Sequence, residues 1–468
     1  MPDTPLHFHT ITELAALIRA RQLSPVEVTQ ALLQRIEQLD RRLKSYATVM
    51  ADPALEAARA AERDISAGTY RGPLHGIPVA VKDLCYTQGI RTMGGTKALV
   101  DHVPHFDATV VAKLHAAGAI VLGKLNLTEG AMGGYHPDFD IPLNPWRADC
   151  YAGASSSGSG VATAAGLCFG ALGSDTGGSI RFPAAACGIV GLKPTWGRVS
   201  RYGVLALAES LDHVGPMTRT TGDAAIMLQA IAGYDPHDPT SLSAPMPDLV
   251  QEMAVGITGM RIGFDEHYAT HGVDPELAAA VLAGVRVLQS LGATLVPVQL
   301  PELDAYLAAW PTLCTAEAVA AHAATYPSRR DAYGPWFRGW LDLGAGVSGA
   351  AYAKANNLRA ACNGLLREVW QHIDALACPA MPTPPFPVTP EALYGPIPRD
   401  GFTMSRLRFT ALFNFNGAPT LSVPCGFNHD GLPLSLQFVG KPLGEPVLCR
   451  LGHAYEQATA WHTMRPPV

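Results

Sequence analysis

The sequence predicts an α/β protein with a largely parallel central sheet and helices on both of its faces. Short apolar segments rich in β-branched residues alternate with amphipathic stretches along most of the chain, an alternation typical of strands and helices packed in layers. Hydrophobic residues make up 48% of the 468 residues and charged residues 16%, against a usual charged share of about 25%. A chain of this length and composition can bury a substantial core.

Two amphipathic helices are expected in the N-terminal part of the chain, residues 1–65. Thr10 and Ser24 are each followed three residues later by a glutamate, Glu13 and Glu27. This spacing is that of the capping box, in which the two side chains satisfy backbone N–H groups at a helix start. Apolar residues follow each box at helical spacing.

The first predicted strand covers residues 77–81, and Lys82 follows at its C-terminal end. A helix is predicted at 107–117, and a second strand at 119–123. Both strands are continuous apolar runs, the pattern of a strand buried on both faces. Further strands are predicted at 261–264, 294–297, 375–379, 420–424 and 434–439.

Charge and cysteine usage exclude several classes of protein. The net charge is −6, whereas nucleic-acid binders carry a basic excess, so no nucleic-acid partner is expected. No apolar run reaches the ~18 residues of a membrane span, and neither a membrane partner nor a secretory signal is predicted. The nine cysteines are scattered without metal-site spacing. We therefore expect reduced thiols, no metal and a cytoplasmic protein.

Two segments rich in glycine and serine stand out, at residues 153–160 and 173–183. Flexible loops are one interpretation, although an apolar, helix-like stretch lies between the segments, and Asp175 and Arg181 flank Ser179. A phosphate-binding loop is a second interpretation, but the G-K-[ST] motif of such loops does not follow the glycines. A third interpretation is that the segments supply a serine nucleophile, which needs a base to take its proton.

Lys82 is the candidate base for such a serine. The histidine-dependent G-x-S-x-G motif is absent around the serines of both segments. Lys82 follows an apolar strand, and burial lowers the pKa of a lysine by disfavouring its charged form. A neutral lysine can accept a proton. A surface position at the end of the strand is the alternative.

Residues 153–184 resemble the Gly/Ser-rich fingerprint of the amidase signature family. The resemblance extends to residues 76–83, 191–203, 210–217 and 431–437, and it is weakest over about 240–410. It implies a large mixed, mostly parallel sheet covered by helices. It also implies a hydrolase without metal or organic cofactor.

The resemblance further implies a Ser-cisSer-Lys triad. Ser179 would be the nucleophile and Lys82 the final base. Ser155, which lies 24 residues before Ser179, would pass the proton between them, and its peptide bond to Ala154 would be cis. The backbone N–H groups of four consecutive residues would form the oxyanion hole: Thr176, Gly177, Gly178 and Ser179. Ser156, Asp175 and Arg181 are expected to brace the loop.

The whole chain, residues 1–468, is predicted to form a single domain, because core motifs recur toward both ends. Residues 66–235 would hold the catalytic core. Residues 236–468 would form a variable region facing the substrate, followed by the C-terminal core. Residues 379–400 are rich in proline but carry apolar and aromatic residues, so we expect an ordered loop over a site rather than a tether.

A free-standing amidase acting on a small-molecule aryl or alkyl amide, or on a carbamate, is the favoured function. The alternative is the glutaminase component of a tRNA-dependent amidotransferase, whose Arg-Tyr-Asp-Gly-type segment has no counterpart between about 300 and 360. A monomer or homodimer is expected. The predicted substrate pocket takes Met132, Gly133 and Gly134 from one segment and Tyr333, Trp336 and Phe337 from another.

Overall fold

One mixed sheet organises the molecule in the computed structural model, which describes residues 4–398 and 404–468. Within these residues the sheet has 11 strands in the order β1-β3-β2-β4-β6-β5-β10-β11-β9-β7-β8. Their bounds are β1 Tyr46–Val49, β2 Pro78–Lys82, β3 Ile120–Leu125, β4 Gly170–Asp175, β5 Val190–Lys193, β6 His213–Thr218, β7 Arg261–Phe264, β8 Thr294–Pro297, β9 Ala375–Pro379, β10 Thr420–Phe427 and β11 Pro433–Gly440. All seven strands predicted from the sequence are confirmed. The predicted division of the chain into segments of one domain stays a prediction.

The predicted mixed sheet is confirmed, but its strands are not mostly parallel. Neighbours are parallel in the groups β3-β2-β4 and β9-β7-β8. They are antiparallel between β1 and β3 and along the run β4-β6-β5-β10-β11-β9. A continuous apolar run shows that a strand is buried on both faces, and buried antiparallel strands produce the same run. Only the connections and partners of a strand decide its direction.

Helices cover the sheet. Their bounds are α1 Ile11–Arg19, α2 Pro25–Leu43, α3 Ala51–Ser66, α4 Thr109–Ala116, α5 Ser157–Ala164, α6 Arg181–Cys187, α7 Thr221–Ile231, α8 Leu249–Met253, α9 Glu266–Thr270, α10 Pro275–Ser290, α11 Asp304–Leu307, α12 Trp310–Ala321, α13 Pro335–Ala345, α14 Gly349–Trp370, α15 Pro390–Tyr394, α16 Leu412–Phe415 and α17 Glu445–Ala458. Both predicted capping boxes are present, at Thr10 and at Ser24. In the described part of the chain, no helix has both the length and the hydropathy that a bilayer crossing requires.

The pairing of the parallel strands β2 and β4 determines where Lys82 lies. Ala80 is paired with Ala171 and Val81 with Leu172, so the two strands end side by side. Parallel strands present their carboxyl ends at the same edge of a sheet. Lys82 at the end of β2 therefore lies beside the end of β4, where the second Gly/Ser-rich segment begins.

Candidate active site

The Lys82 amine lies within hydrogen-bond distance of three serine hydroxyls. Its Nζ atom is 2.6 Å from Ser155 Oγ, 2.9 Å from Ser156 Oγ and 2.9 Å from Ser174 Oγ. Lys82 and Ser156 are completely buried, and Ser155 and Ser174 nearly so. The structure thus brings Lys82 and Ser155 together, which the sequence places 73 positions apart.

Burial changes the protonation of this lysine. It lowers the pKa of Lys82 from 10.5 to about 7, although the negative charges of Asp175 and Asp212 act in the opposite direction. No carboxylate forms an ion pair with Lys82 among the described residues. A large share of the molecules therefore carries a neutral amine at neutral pH, and a neutral amine can accept a proton.

The Ser156 hydroxyl has a fixed orientation. It donates to the backbone carbonyl of Ser174, at 3.1 Å, and accepts from the Ser174 N–H, at 3.2 Å. Its proton is therefore committed, and toward Lys82 it can only accept. The Ala154–Ser155 peptide bond is cis, as the resemblance implies. Ser174 was not among the predicted site residues, although its position at the end of β4, the strand beside Lys82, could have indicated it.

Ser179 is half-buried and lines a cavity. The Ser156 N–H donates to the Ser179 carbonyl, at 3.3 Å, which holds the two Gly/Ser-rich segments against each other. Ser179 lies in the short turn between β4 and α6. Ser179 thus contacts Ser156, a neighbour of Lys82, through its backbone and also lines the cavity.

A buried ion pair supports the turn that carries Ser179. Asp175 accepts from the N–H groups of Gly178 and Ile180, at 2.8 and 3.0 Å. The Arg181 guanidinium donates to both Asp175 oxygens, at 2.8 and 3.0 Å. Burial alone would raise the pKa of Asp175, but the Arg181 charge and these hydrogen bonds outweigh it and hold that pKa well below its usual range. The Asn414 amide adds further bonds to Asp175.

The carbonyls of the glycine-rich turn are also held. The Trp310 indole N–H donates to the Thr176 carbonyl at 3.0 Å, and the Thr410 hydroxyl donates to the Gly177 carbonyl at 2.6 Å. Gly178 has a φ of +139°, a conformation that side-chain-bearing residues rarely adopt. Residues that are distant in the sequence therefore help to hold the backbone of the turn in place.

The cavity beside Ser179 has a volume of about 690 Å³. Its lining is mainly apolar and aromatic, and Asp149 and Arg406 are the charged residues among the described ones that line it. The lining residues are Ala131, Met132, Gly133, Asp149, Tyr151, Ala154, Thr176, Gly177, Ser179, Phe182, Leu207, Trp310, Trp336, Met381, Phe386, Pro387, Val388, Thr389, Ala392, Leu393, Pro398, Arg406 and Leu407. Such a lining suits a small, largely apolar ligand.

The predicted pocket needs correction at three of its six residues. Met132, Gly133 and Trp336 line the cavity, whereas Gly134, Tyr333 and Phe337 do not. Successive residues on a helix point in directions about 100° apart, and at this place in α13 it is Trp336 rather than Phe337 that faces the cavity. Phe337 instead packs on the backbone of Gly130.

Tyr333 and Gly134 lie behind the wall. The Tyr333 hydroxyl bonds to the ring of His322, at 3.0 Å. The backbone of Gly134 is covered by the Trp336 side chain: a Cβ atom at Gly134 would lie 2.6 Å from Trp336 Cβ. These residues support the cavity wall without reaching its surface.

Part of the proline-rich segment, including Phe386 and Leu393, also lines the cavity, which agrees with the expected loop over a site. Its residues 399 and 400 lie outside the described residues. Phe386 stacks on Tyr151, with ring centroids 5.1 Å apart, and the Arg406 guanidinium lies over the Phe386 ring, 4.3 Å from its centroid. Sequence reasoning missed Tyr151, Phe386 and Arg406 as lining residues. The mixture of aromatic residues and prolines was the signal for Phe386.

A neutral lysine bonded to serines, beneath a rigid glycine-rich turn at an apolar cavity, is typical of serine hydrolases with a lysine base. The family model described as Amidase matches residues 27–449. The chain belongs to the amidase signature family, and it is an amide-hydrolysing enzyme.

Three relatives illustrate this membership. "Putative amidase AmiD" of Mycobacterium tuberculosis is 47% identical over 461 residues, covering 98% of this chain and 96% of the relative. The A component of the glutamyl-tRNA(Gln) amidotransferase of Geobacter metallireducens is 41% identical, covering 97% of this chain and 98% of the relative. The crystal structure of a bacterial aryl acylamidase of the amidase signature family superposes with a TM-score of 0.88 at 28% identity, covering 98% of each chain.

Proposed function

We propose that the enzyme hydrolyses small aryl or alkyl amides through an acyl-enzyme on Ser179. Neutral Lys82 takes the proton of Ser155 while Ser155 takes that of Ser179, and Ser179 Oγ attacks the carbonyl carbon. The C–N bond then breaks, and the proton held by Lys82 returns through Ser155 to the leaving amine. Water, deprotonated by the same two groups, releases the acid and restores Ser179.

The hydrogen-bond pattern around Lys82 carries this proposal. A neutral amine has one lone pair, and Ser156 cannot donate to it because the Ser156 proton points to the Ser174 carbonyl. Ser155 is the closest hydroxyl, at 2.6 Å. Ser155 therefore suits the role of the donor to the lone pair, and once it has given up its proton it can accept one from Ser179.

The oxyanion hole would be smaller than the four residues expected from the resemblance. The N–H of Gly178 already donates to Asp175, at 2.8 Å, so we assign the oxyanion to the N–H groups of Thr176, Gly177 and Ser179. Asp175 would contribute by fixing the turn. Preorganised donors of this kind stabilise developing charge at no reorganisation cost.

The cavity lining supports the substrate class. Apolar and aromatic side chains such as Met132, Trp336 and Phe386 favour an apolar acyl or aryl group. The aryl acylamidase of similar structure points the same way. Carbamates are a reasonable extension, since they also present a carbonyl and an amine leaving group. The alternative, the glutaminase component of an amidotransferase, is less well supported, because a mainly apolar cavity offers few partners to the polar groups of glutamine.

A substrate panel with the purified chain tests the proposal. Anilides, primary alkyl amides, carbamates, esters and glutamine are compared, with Ser179→Ala as the control. We expect hydrolysis of anilides without a partner protein, and loss of activity on the order of 10⁶-fold in Ser179→Ala, as for the loss of other serine nucleophiles. Full activity of Ser179→Ala would contradict the assigned nucleophile, and activity on glutamine alone would favour the amidotransferase component.

A further inference from the structure

Glu129 is a buried carboxylate near the cavity to which the proposed reaction gives no role. We propose that Glu129 is a positioning residue that sets the selectivity of the cavity for large apolar acyl groups, acting through Trp336. This inference rests on the proposed function. Glu129 does not line the cavity, so its effect must pass through the residues that it holds.

Glu129 joins two segments that are 205 positions apart in sequence. Both of its carboxylate oxygens accept from the N–H of Gly334, at 2.9 and 3.1 Å. Gly334 is the N-cap residue of α13. A carboxylate at a helix N-terminus also interacts favourably with the helix dipole. Glu129 thus fixes the point at which α13 begins.

The backbone of Glu129 lies in the loop that packs against the start of α13. Its N–H donates to the Gly134 carbonyl at 2.8 Å, and its carbonyl accepts from the Met132 N–H at 3.0 Å. These bonds close the short loop that presents Met132 and Gly133 to the cavity. One residue therefore organises the loop through its backbone and the start of α13 through its side chain.

Trp336 lies between these two elements. It follows Gly334 by two positions and lines the cavity. A Cβ atom at Gly133 would lie 2.4 Å from the Trp336 ring, and one at Gly134 would lie 2.6 Å from Trp336 Cβ. The indole is packed directly on bare backbone, so a small shift of α13 relative to the loop must move the ring. Interfaces this close transmit displacement because packed atoms cannot be compressed.

The charge of Glu129 is otherwise unfavourable. The side chain is completely buried, and burial raises its pKa to about 7 despite hydrogen bonds from Thr96 and Gly334 and the nearby charge of Arg338. An apolar residue would avoid this desolvation. Its place between loop and helix gives the carboxylate a positional role that an apolar side chain could not fill.

The test is a series of 4-nitroanilides with acyl groups from acetyl to octanoyl, so that only the acyl group changes. We define the acyl ratio as kcat/KM for the octanoyl substrate divided by kcat/KM for the acetyl substrate. For Glu129→Ala we expect the acyl ratio to fall about tenfold, mainly through KM. The reason is that acyl groups larger than acetyl need the cavity wall that Trp336 forms. Glu129→Gln keeps an oxygen that can accept from Gly334 and should recover part of this ratio. The Gly334→Ala variant, whose Cβ would lie 2.7 Å from Glu129 Oε2, should resemble Glu129→Ala.

Two controls separate positioning from a general loss of stability. Glu456 is a second buried carboxylate that accepts from one backbone N–H, that of Thr221, and it does not line the cavity. Glu456→Ala, the same change as at Glu129, leaves the Thr221 N–H without its acceptor and should lower Tm without changing the acyl ratio. In the double variant Glu129→Ala/Trp336→Ala, the effects on the ratio should be non-additive, since both changes act on one wall.

The outcomes are distinct. An unchanged acyl ratio in Glu129→Ala, or additive effects in the double variant, would overturn the positioning role while leaving the proposed function intact. If the unsubstituted enzyme hydrolyses none of the anilides, the proposed function itself fails. A ratio that falls equally in Glu456→Ala would overturn the positioning role as well, because general destabilisation would then be the cause.

Discussion

Lys82 Nζ and Ser155 Oγ lie 2.6 Å apart in a region from which solvent is excluded. The contact joins the end of β2 to the residue that follows the cis Ala154–Ser155 peptide bond. A lysine in this position loses the hydration that normally stabilises its charge, and serine hydroxyls replace only part of it. Burial thus lowers the pKa of this amine to about 7, which suits the base that we propose.

We expect kcat/KM for an anilide to rise with pH through about 7 and then to level off. Lys82 acts only in its neutral form, and burial places its pKa at about 7, so activity falls about tenfold per pH unit below that value. A pH profile between about 5.5 and 8.5 measures this rise. A flat profile would contradict a lysine base. Lys82→Arg, which cannot deprotonate in this range, should be inactive throughout.

Ser174→Ala should move the acidic limb of this profile to lower pH. The Ser174 hydroxyl lies 2.9 Å from Lys82 Nζ and helps to stabilise the ammonium form, so its removal disfavours the charge and lowers the pKa of Lys82 further. We also expect a loss of about tenfold or less in the plateau rate, in line with one hydrogen bond of about 1 kcal/mol. A shift toward higher pH would show that Ser174 does not stabilise the ammonium.

Gly177→Ala should lower kcat by about 10²–10³, the effect of losing one oxyanion donor, because alanine keeps the N–H but displaces it. A Cβ atom at this position would lie 2.6 Å from the Trp310 ring, so the turn would have to move. Steady-state kinetics with an anilide measures the loss. Gly364→Ala is the matched control, because a Cβ there meets nothing within 4 Å; it should keep full activity. Equal losses in both variants would point to a general effect of the substitution.

Arg181→Met should lower the free energy of unfolding by about 3–5 kcal/mol, because it leaves the Asp175 carboxylate buried without its cation. Urea denaturation measures the change. Arg261→Met is the control: Arg261 pairs with Asp374 at the same distance as Arg181 with Asp175, 2.8 Å, but on the surface. Its removal should cost little. If the two variants lost equal stability, burial would not be what makes the Arg181 pair important.

Local pattern was sufficient to predict both capping boxes, seven of the 11 described strands and the candidate reactive groups, whereas β1, β4, β5 and β6 were not predicted. The capping boxes at Thr10 and Ser24 involve residues three positions apart, and the strand before Lys82 is recognisable from five consecutive residues. The Gly/Ser-rich segments carry their resemblance in the same local way. Ser155 and Ser179 could therefore be proposed, with Lys82 as their base, before any distance was known.

The remaining features of the site and of the sheet depend on contacts between residues that are distant in sequence. Nothing local shows that the Gly178 amide is taken by Asp175, that Ser174 reaches Lys82, or that Phe386 faces the cavity. The direction of the strands also depends on partners distant in sequence, as for β5 and β10. Periodicity reports which face of an element is buried, whereas hydrogen bonds and cavity walls depend on which elements meet, and that choice follows from the packing of the whole sheet.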